Sequence, residues 1–444
     1  MRGWSRRCLS ILLLVSAATC AIADDKSPPP APAPATPDRD VDAAAVQNAG
    51  LRDVLKAMNE ADSKTLFDLY QSKDPIVHVF AAIAIERTRF NLEAASKDAK
   101  VCEDSLSETK PGIALACGQF RVGNLRLAGK GQEAVDAEAE LVRRYRGHGG
   151  AGIERSLAAM QKFLDGEAGV AQFSIDALPA GDVVLPVKHD SRNKESLRPI
   201  LAAKANGRDL DLLFDTGAGN MILGEDQARD LGVKPLDAHG HISGWLSKGV
   251  ETQRGMLDVL QLGPITLRNV PVVITPRKNA LIGVNLLAPL GTLGLTTKAL
   301  TVYAEQSPVP SCERDMQAAT DIWGRKLRII PEFLVNDQPH RVMLDTGAGF
   351  FLIGSKAALD EVTKIRSGRL ALNDVGGSHP FANAEAAKVK MQIDRQPFNI
   401  YFIVYTESTC PSAITLGANA LEDMDYVLDF RRHKLCFQMH PNLH

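Results

Sequence analysis

Residues 210–219 read LDLLFDTGAG, and residues 340–349 read HRVMLDTGAG. In both stretches an apolar run leads directly into Asp-Thr-Gly-Ala-Gly. A second pair of matching segments follows in the same order, LIGVN at residues 281–285 and TLGAN at residues 415–419. Two anchors repeated in the same order, at similar spacing, indicate that this part of the chain is a duplicated domain.

The sequence around both copies has the texture of β-structure. Short apolar runs, such as residues 183–187, are separated by Gly, Pro, Asn and Asp. A third pair of matching runs, TVY at residues 301–303 and LCF at residues 435–437, ends each copy. We therefore predict two all-β lobes, one at residues 180–308 and one at residues 315–440.

Each Asp-Thr-Gly motif places a carboxylate at the end of a strand that the pattern predicts to be buried. Asp215 and Asp345 both follow apolar residues, and an unpaired charge in such surroundings is costly. Two equivalent lobes related by a two-fold axis would bring the two carboxylates face to face. Two acids about 3 Å apart do not both ionise, so they share one proton. Such a pair can activate a water molecule and polarise a carbonyl group.

These motifs resemble those of the retropepsin-like branch of the aspartic peptidases. In that family Asp-Thr-Gly-Ala lies at a strand-to-turn junction, and two apolar residues followed by Gly pass beneath the active-site loop. The resemblance covers about residues 182–440 and implies that Asp215 and Asp345 are the catalytic pair. It implies no metal and no cofactor. It also implies that the rest of both loops supports the pair, through crossed threonine hydrogen bonds and tight glycine turns: Thr216, Gly217, Ala218, Thr346, Gly347 and Ala348.

Both copies depart from the family pattern. Thr415 stands where the family has an apolar residue, and a register shift that brings Ile414 into its place would compensate. Gly219 and Gly349 follow the motif alanines, where many family members carry Ser or Asp. Neither departure removes a catalytic group.

Family members cover the cleft with a flap, and each copy has a glycine-containing candidate between its two anchors. The first candidate is residues 240–249, which include Gly244 and Trp245, and the second is residues 374–381, which include Gly376 and Gly377. Glycine allows hinge motion in such a flap. Trp245 would either shield the aspartates from bulk water or pack on the core.

Composition and motifs exclude several other classes of protein. Hydrophobic residues make up 45% of the chain and charged residues 23%, which is typical of globular proteins. The net charge of −2 gives no basic excess for coating nucleic acid. His239 and His241 lie close together, but no third ligand is identifiable, so we interpret them as exposed loop residues rather than a metal site.

The N-terminus has the order of a secretory signal peptide. Three arginines precede an apolar run that is too short to span a bilayer, and small residues follow it. We predict a signal peptide at residues 1–23 and a Pro/Ala-rich linker at residues 24–40. The mature protein would be exported, most simply to the periplasm, without a stable transmembrane segment. Lipid attachment at Cys20 is the alternative.

Residues 41–166 have helical periodicity. Leu51, Val54, Leu55 and Met58 recur at i, i+3, i+4 and i+7 and form one apolar face. We predict an all-α domain of about six helices. These helices form either repeat-like hairpins of the tetratricopeptide kind or a plain helical bundle.

The sequence thus predicts a multidomain protein, an all-α helical-repeat-like domain followed by duplicated all-β retropepsin-like acid protease lobes. The leading hypothesis is an exported aspartic endopeptidase that acts on peptide or unfolded protein substrates through Asp215 and Asp345. The helical domain would recruit a protein partner or regulate access, and no nucleic-acid partner is expected. One alternative is an inactive descendant that binds peptides or proteins through the cleft and the helical domain. Another pairs lobes between two chains.

Overall fold

A computed structural model describes residues 49–148, 150–189, 196–277, 280–355, 364–394, 396–405 and 414–440. The predicted signal peptide, the predicted linker and Cys20 lie outside these residues. In the part of the chain that the structure describes, no helix is both long enough and apolar enough to cross a membrane.

The first described part of the chain is helical. Consecutive helices pack on each other around a core that includes Phe80, Leu115 and Leu141. Seven α-helices form here where the sequence predicted about six, because a helix as short as α2 shows no full apolar period. Their bounds are α1 (Ala49–Asn59), α2 (Ser63–Tyr70), α3 (Pro75–Thr88), α4 (Leu92–Leu106), α5 (Pro111–Leu127), α6 (Gly131–Tyr145) and α7 (Ala151–Glu167).

Capping residues set where several of these helices begin. Helix α3 starts at Pro75, and the Asp74 carboxylate accepts a hydrogen bond of 2.8 Å from the Ile76 N–H. Proline is well suited to the first helical position because its missing N–H has no partner there in any case. Asn91 caps α4 in the same way as Asp74 caps α3.

The first lobe is a mixed sheet with the order β3-β4-β9-β5-β8-β7-β6. Within it β4 runs parallel to β9, and β5 runs parallel to β8. The elements of this lobe are β1 (Ser174–Ile175), β2 (Val183–Lys188), β3 (Ile200–Ala205), β4 (Arg208–Asp215), β5 (Met221–Gly224), α8 (Glu225–Asp230), β6 (Lys234–Ile242), β7 (Val250–Leu262), β8 (Ile265–Thr275), β9 (Ala280–Gly283), α9 (Val284–Leu287), β10 (Thr292–Leu295) and β11 (Ala299–Tyr303).

The second lobe repeats this arrangement strand for strand. A hairpin of β12 (Ala318–Thr320) and β13 (Leu327–Ile329) leads into it. Its sheet has the order β14-β15-β20-β16-β19-β18-β17, which matches the first lobe position by position. The predicted duplication is therefore confirmed in the topology. The remaining strands are β14 (Glu332–Val335), β15 (Gln338–Asp345), β16 (Leu352–Ser355), β17 (Lys364–Asp374), β18 (Gly377–Ile393), β19 (Gln396–Tyr405), β20 (Ile414–Gly417), β21 (Met424–Asp429) and β22 (Lys434–Met439).

A shared sheet joins the two lobes. Strand β21 of the second lobe pairs antiparallel with β10 of the first, and the buried Thr292 hydroxyl donates to the Asp429 carboxylate across this seam at 2.8 Å. A disulfide between Cys312 and Cys436 ties the segment between the lobes to β22. A second disulfide, between Cys102 of α4 and Cys117 of α5, joins these two neighbouring helices. The sheet of the first lobe therefore continues into β21 and β22 of the second lobe, while the seven-stranded sheet of the second lobe remains separate.

The helical region holds the loop that lies between β12 and β13. The buried Arg87 guanidinium of α3 donates hydrogen bonds to the carbonyl oxygens of Asp321, at 2.7 Å, and Ile322, at 2.9 Å. Burial lowers the pKa of Arg87 to about 10, so the group remains charged at neutral pH. A few residues further along, the guanidinium of Arg325 stacks on the ring of Phe163 in α7, 4.5 Å from its centroid.

The close contact between α5 and this loop gives a prediction about stability. A side-chain carbon added at Gly123 would lie 2.1 Å from the carbonyl oxygen of Ile322, so the Gly123→Ala variant must push the backbones apart. We expect a loss of about 2 to 3 kcal/mol in the free energy of unfolding, measured by urea denaturation. Gly166→Ala in α7 is the matched control, since nothing lies within 4 Å of that position, and it should be neutral or stabilise by up to about 1 kcal/mol. Equal effects of the two variants would contradict this packing.

Candidate active site

The two motif aspartates occupy equivalent positions in the two sheets. Asp215 is the last residue of β4 and pairs in register with Gly283 of β9. Asp345 is the last residue of β15 and pairs in register with Gly417 of β20. The Leu-Ile-Gly and Thr-Leu-Gly segments thus pass beside the loops that carry the aspartates.

The predicted register shift in the second copy does not occur. Thr415 pairs with Met343 in the same register in which Leu281 pairs with Leu213. Thr415 is fully buried, and Ile414 pairs one position further from the aspartate. That suggestion was wrong because the glycine after the apolar pair fixes the register next to the aspartate in both lobes.

The two carboxyl groups meet at the seam between the lobes, close enough for each to shift the pKa of the other. The motif glycines make this approach possible, because each lies against the aspartate of the other lobe. A side-chain carbon at Gly217 would lie 2.6 Å from the carboxyl carbon of Asp345, and one at Gly347 would lie 2.6 Å from that of Asp215. Only glycine leaves room for the pair at both positions.

Backbone N–H groups hold each carboxyl in place. Asp215 Oδ1 accepts hydrogen bonds from the Gly217 N–H, at 2.8 Å, and the Ala218 N–H, at 3.2 Å. Asp345 Oδ1 accepts one from the Gly347 N–H at 2.9 Å. The loops therefore fix the orientation of both carboxyl groups relative to each other.

The surroundings raise the pKa of both carboxyls. Burial and then the charge of Asp215 raise the pKa of Asp345 well above its usual value of 3.8. Burial also raises the pKa of Asp215, and the hydrogen bonds from Asp345 and from the loop N–H groups partly offset this. The pair therefore retains one proton above the pH at which an ordinary aspartate loses it, and it titrates as a unit.

The two threonines lock the loops together through crossed hydrogen bonds. The Thr216 N–H donates to Thr346 Oγ1 and the Thr346 N–H donates to Thr216 Oγ1, both at 3.1 Å. Each hydroxyl in turn donates across the seam, from Thr216 to the Leu344 carbonyl at 2.9 Å and from Thr346 to the Phe214 carbonyl at 2.6 Å. Since both threonines are buried, this four-bond network fixes the spacing of the aspartates.

The alanines of the two motifs act through their backbone carbonyl groups. The Ala218 carbonyl accepts the Val284 N–H at 2.9 Å, and the Ala348 carbonyl accepts the Ala418 N–H at 2.8 Å. These bonds attach each aspartate loop to the segment that follows β9 or β20.

Both flap candidates are tips of β-hairpins. Gly244 and Trp245 lie in the connection between β6 and β7, and Gly376 and Gly377 lie at the turn between β17 and β18. Trp245 is half-buried and packs with Leu246 on the buried Ile353 of the opposite lobe rather than on its own core. The tip of the first hairpin therefore reaches across to the second lobe.

The two tips are joined by a cluster of three polar side chains, Ser247, Asp374 and His379, which we call the flap-tip cluster. The Asp374 carboxylate accepts hydrogen bonds from the N–H groups of Leu246 and Ser247, both at 2.8 Å, and from the Ser247 hydroxyl at 2.6 Å. His379 Nε2 lies 3.1 Å from Asp374 Oδ1 and 3.0 Å from Ser247 Oγ. These bonds hold the tip of the β6–β7 hairpin against the tip of the β17–β18 hairpin.

Other candidate residues do not join this site. His239 and His241 are exposed on β6, where they pair with Gln253 and Glu251 of the neighbouring strand. Among the described residues, no group of three or more side chains is arranged to hold a metal ion.

The predicted flap segments contain Ser247, Asp374 and His379, but the sequence did not single out these side chains, because a single contact between two hairpin tips leaves no repeated pattern. The sequence analysis also assigned no role to Asn285 and Asn419, although the internal repeat contains both of them. Both asparagines belong to the repeated five-residue segments that end β9 and β20.

Comparisons with known proteins give a likeness to the aspartyl protease family. Residues 201–286, which include Asp215, match the family model described as aspartyl protease. A curated protein of Sinorhizobium sp, described as an uncharacterized protein in the cobV 5′ region, is 28% identical over 102 residues. That match covers 22% of this chain and 44% of the relative, so the chain spans less than half of the curated relative's length.

Solved structures give a further likeness. The aspartic proteinase from Irpex lacteus is 13% identical with a TM-score of 0.38, and the match covers 59% of this chain and 98% of that one. Basic 7S globulin from soybean is 15% identical with a TM-score of 0.36, covering 59% of this chain and 95% of that one. The family match in the first lobe confirms the resemblance that the two motifs predicted. The chain is similar to aspartic peptidases of the retropepsin and pepsin type.

The flap-tip cluster gives a prediction about pH. Burial raises the pKa of Asp374, but the hydrogen bonds from Ser247, Leu246 and Gly376 outweigh it and lower the pKa to about 2. Stability from an aspartate with a lowered pKa is fully present above the ordinary value of 3.8 and is lost as the pH falls through the lowered one. We expect the Leu246 and Ser247 N–H groups to stay protected from hydrogen exchange at pH 4 and above.

Asp374→Leu should abolish that protection throughout this range, because it removes the carboxylate oxygen that accepts both N–H groups. Asp209→Leu is the control, since the exposed side chain of Asp209 on β4 bonds only to Lys204 among the described contacts. Unchanged exchange at the first hairpin tip in the Asp374 variant would show that the cluster does not hold the tips together.

Proposed function

We propose that this protein is an exported aspartic endopeptidase with both lobes of its active site in one chain. The observation that carries the proposal is the placement of Asp215 and Asp345 against each other at the seam, where their raised pKa values keep one proton on the pair. The match to the aspartyl protease family model supports the same class of hydrolase. The N-terminal sequence supports export to the periplasm.

The pair supplies both halves of acid–base catalysis. The ionised carboxylate takes a proton from a water molecule, and the oxygen of that water attacks the carbonyl carbon of the peptide bond. The protonated carboxyl donates its proton toward the carbonyl oxygen. The carboxyl that took the proton from water then donates it to the amide nitrogen, and the C–N bond breaks. The other carboxylate takes a proton back from a hydroxyl of the tetrahedral intermediate, so the products are a carboxylic acid and an amine, and the pair again holds one proton. Protons pass only between the two carboxyl groups, the water and the substrate, so the reaction needs no other acid or base.

The substrate class follows from the mechanism and from the hairpins. A pair buried at a seam between lobes reaches only a chain that is extended enough to enter beneath the hairpin tips. We therefore infer peptide or unfolded protein substrates. The helical region would bring a protein partner or substrate to this cleft, since it holds the loop between the lobes through Arg87.

The first test of this function is the loss of cleavage in paired variants. Asp215→Asn and Asp345→Asn should each lower kcat by roughly 10²- to 10⁴-fold, since either change removes an acid or base from the pair. Cleavage of a peptide library and of an unfolded protein, followed by mass spectrometry, measures this. Asp211→Asn is the matched control, because Asp211 is an exposed residue of the same strand. Activity that survives both variants would overturn the mechanism, and an inactive wild type would favour the peptide-binding alternative.

The raised pKa values also predict how activity varies with pH. The acid limb of the profile should lie above the usual aspartate pKa of 3.8, because the pKa of Asp215 is raised. The basic limb should follow the loss of the proton that the pair shares. We expect a bell-shaped dependence of kcat/KM with its maximum in the mildly acidic range.

The same proton predicts how stability varies with pH. A carboxyl whose pKa is raised on folding contributes stability that is fully present below its unfolded pKa and is lost as the pH rises through the folded one. The wild type should therefore lose stability relative to Asp345→Asn as the pH rises from the usual aspartate pKa of 3.8 to the raised one, by up to about 1.4 kcal/mol per pH unit. Urea denaturation at several pH values measures this difference. A difference independent of pH would contradict a shared buried proton.

A further inference from the structure

Two segments, each leading into the main sheet of one lobe, bond to the segment that follows β9 or β20 in the other lobe. Residues 196–199 lead into β3 of the first lobe, and we call them strap 1. Residues 325–331 lead into the second lobe, and we call them strap 2. The Leu197 N–H of strap 1 donates to Asn419 Oδ1 of the second lobe at 2.9 Å. In the reverse direction, Asn285 Nδ2 of the first lobe donates to the backbone carbonyl of Arg325 in strap 2 at 3.1 Å.

Each strap is also bonded to the strand that carries the aspartate of its own lobe. The Phe214 N–H, next to Asp215, donates to the Pro199 carbonyl of strap 1 at 2.9 Å. The Val342 N–H of β15 donates to the Pro331 carbonyl of strap 2 at 2.8 Å. Each strap therefore links the strand of one aspartate to the segment that supports the other.

The two asparagines stand between the straps and the aspartate loops. The Asn285 N–H donates to the Gly219 carbonyl at 3.1 Å, and the Asn419 N–H donates to the Phe350 carbonyl at 3.2 Å. Both acceptors lie in the turn that follows an Asp-Thr-Gly-Ala motif. The backbone of each asparagine thus holds one loop while its side chain holds a strap.

The straps account for the departure from the family pattern after the motif alanines. A side-chain carbon at Gly219 would lie 2.9 Å from Asn285 Oδ1, and one at Gly349 would lie 2.6 Å from the hydroxyl of Ser196 in strap 1. The serine or aspartate of other family members would collide with the asparagine or with the strap. Glycine at both positions leaves room for the asparagine side chain and for the strap.

We propose that Asn285 and Asn419 are positioning residues, which set the separation of the two aspartate loops by binding opposite straps through opposite ends of the amide group. The proposal rests on the proposed aspartic peptidase function. Asn285 acts as a donor, because its partner is a carbonyl oxygen. Asn419 acts as an acceptor, because its partner is a backbone N–H.

The opposite polarity makes one substitution discriminating. Asn→Asp removes the donor and keeps the acceptor, and both asparagines are half-buried, so the two variants face similar surroundings. Asn285→Asp places a carboxylate against the strap carbonyl and loses the bond. Asn419→Asp still accepts the Leu197 N–H. Asn→Leu removes the bond at both positions.

The experiment compares these four variants in the full chain. We expect Asn285→Asp and both leucine variants to lower kcat by roughly 10- to 100-fold, the cost of an unmade hydrogen bond in a partly buried site. KM should remain within about twofold, and the pH profile of kcat should shift as the separation of the carboxyls changes. Asn419→Asp should keep kcat within about threefold of the wild type. Equal losses in the two aspartate variants would overturn the proposal, as would variants that lower only the thermal midpoint and leave kcat and its pH profile unchanged.

Hydrogen exchange separates this proposal from the proposed function. Peptides that contain Thr216 and Thr346 should exchange faster in Asn285→Asp but not in Asn419→Asp, whether or not the protein cleaves any substrate. If the wild type is inactive and this asymmetry is present, the peptidase function fails while the straps are confirmed as the support of the loops. If the wild type is active and the asymmetry is absent, the proposal about the asparagines fails alone.

Discussion

Two carboxyl groups buried against each other constrain the rest of this structure. A like-charged pair away from water is unfavourable unless it keeps one proton, and unless its geometry is held by groups that do not move. The crossed threonine bonds, the loop N–H groups and the glycines at the contact all serve this requirement. The shared sheet between β10 and β21 then prevents the lobes from separating.

The sequence predicted the parts of the site that repeat. The doubled motif located both aspartates, both threonines and the segments that run beside them, and the doubled β texture predicted two lobes with equivalent strand orders. It placed both hairpin tips but not the bonds between them. Asp374 bonds to backbone N–H groups of a distant hairpin, and no spacing or periodicity in the chain encodes such a contact.

The departures from the family pattern have different physical explanations. Gly219 and Gly349 are needed because neighbouring segments occupy the space of a side chain. Thr415 is accommodated without any shift in pairing, although its hydroxyl is buried without a hydrogen-bond partner in the described part of the chain. A departure judged from sequence alone could not distinguish a required residue from a tolerated one, because the difference lies in what packs against it.

The stacking of Arg325 on Phe163 makes the two halves of the site unequal. Strap 2 begins at a residue that touches α7, so the loop of Asp215 is connected through Asn285 to the helical region. Two identical subunits give both aspartates the same environment by symmetry. The two lobes of a single chain can differ in sequence, so mutations can change the residues that hold one aspartate loop without changing those that hold the other.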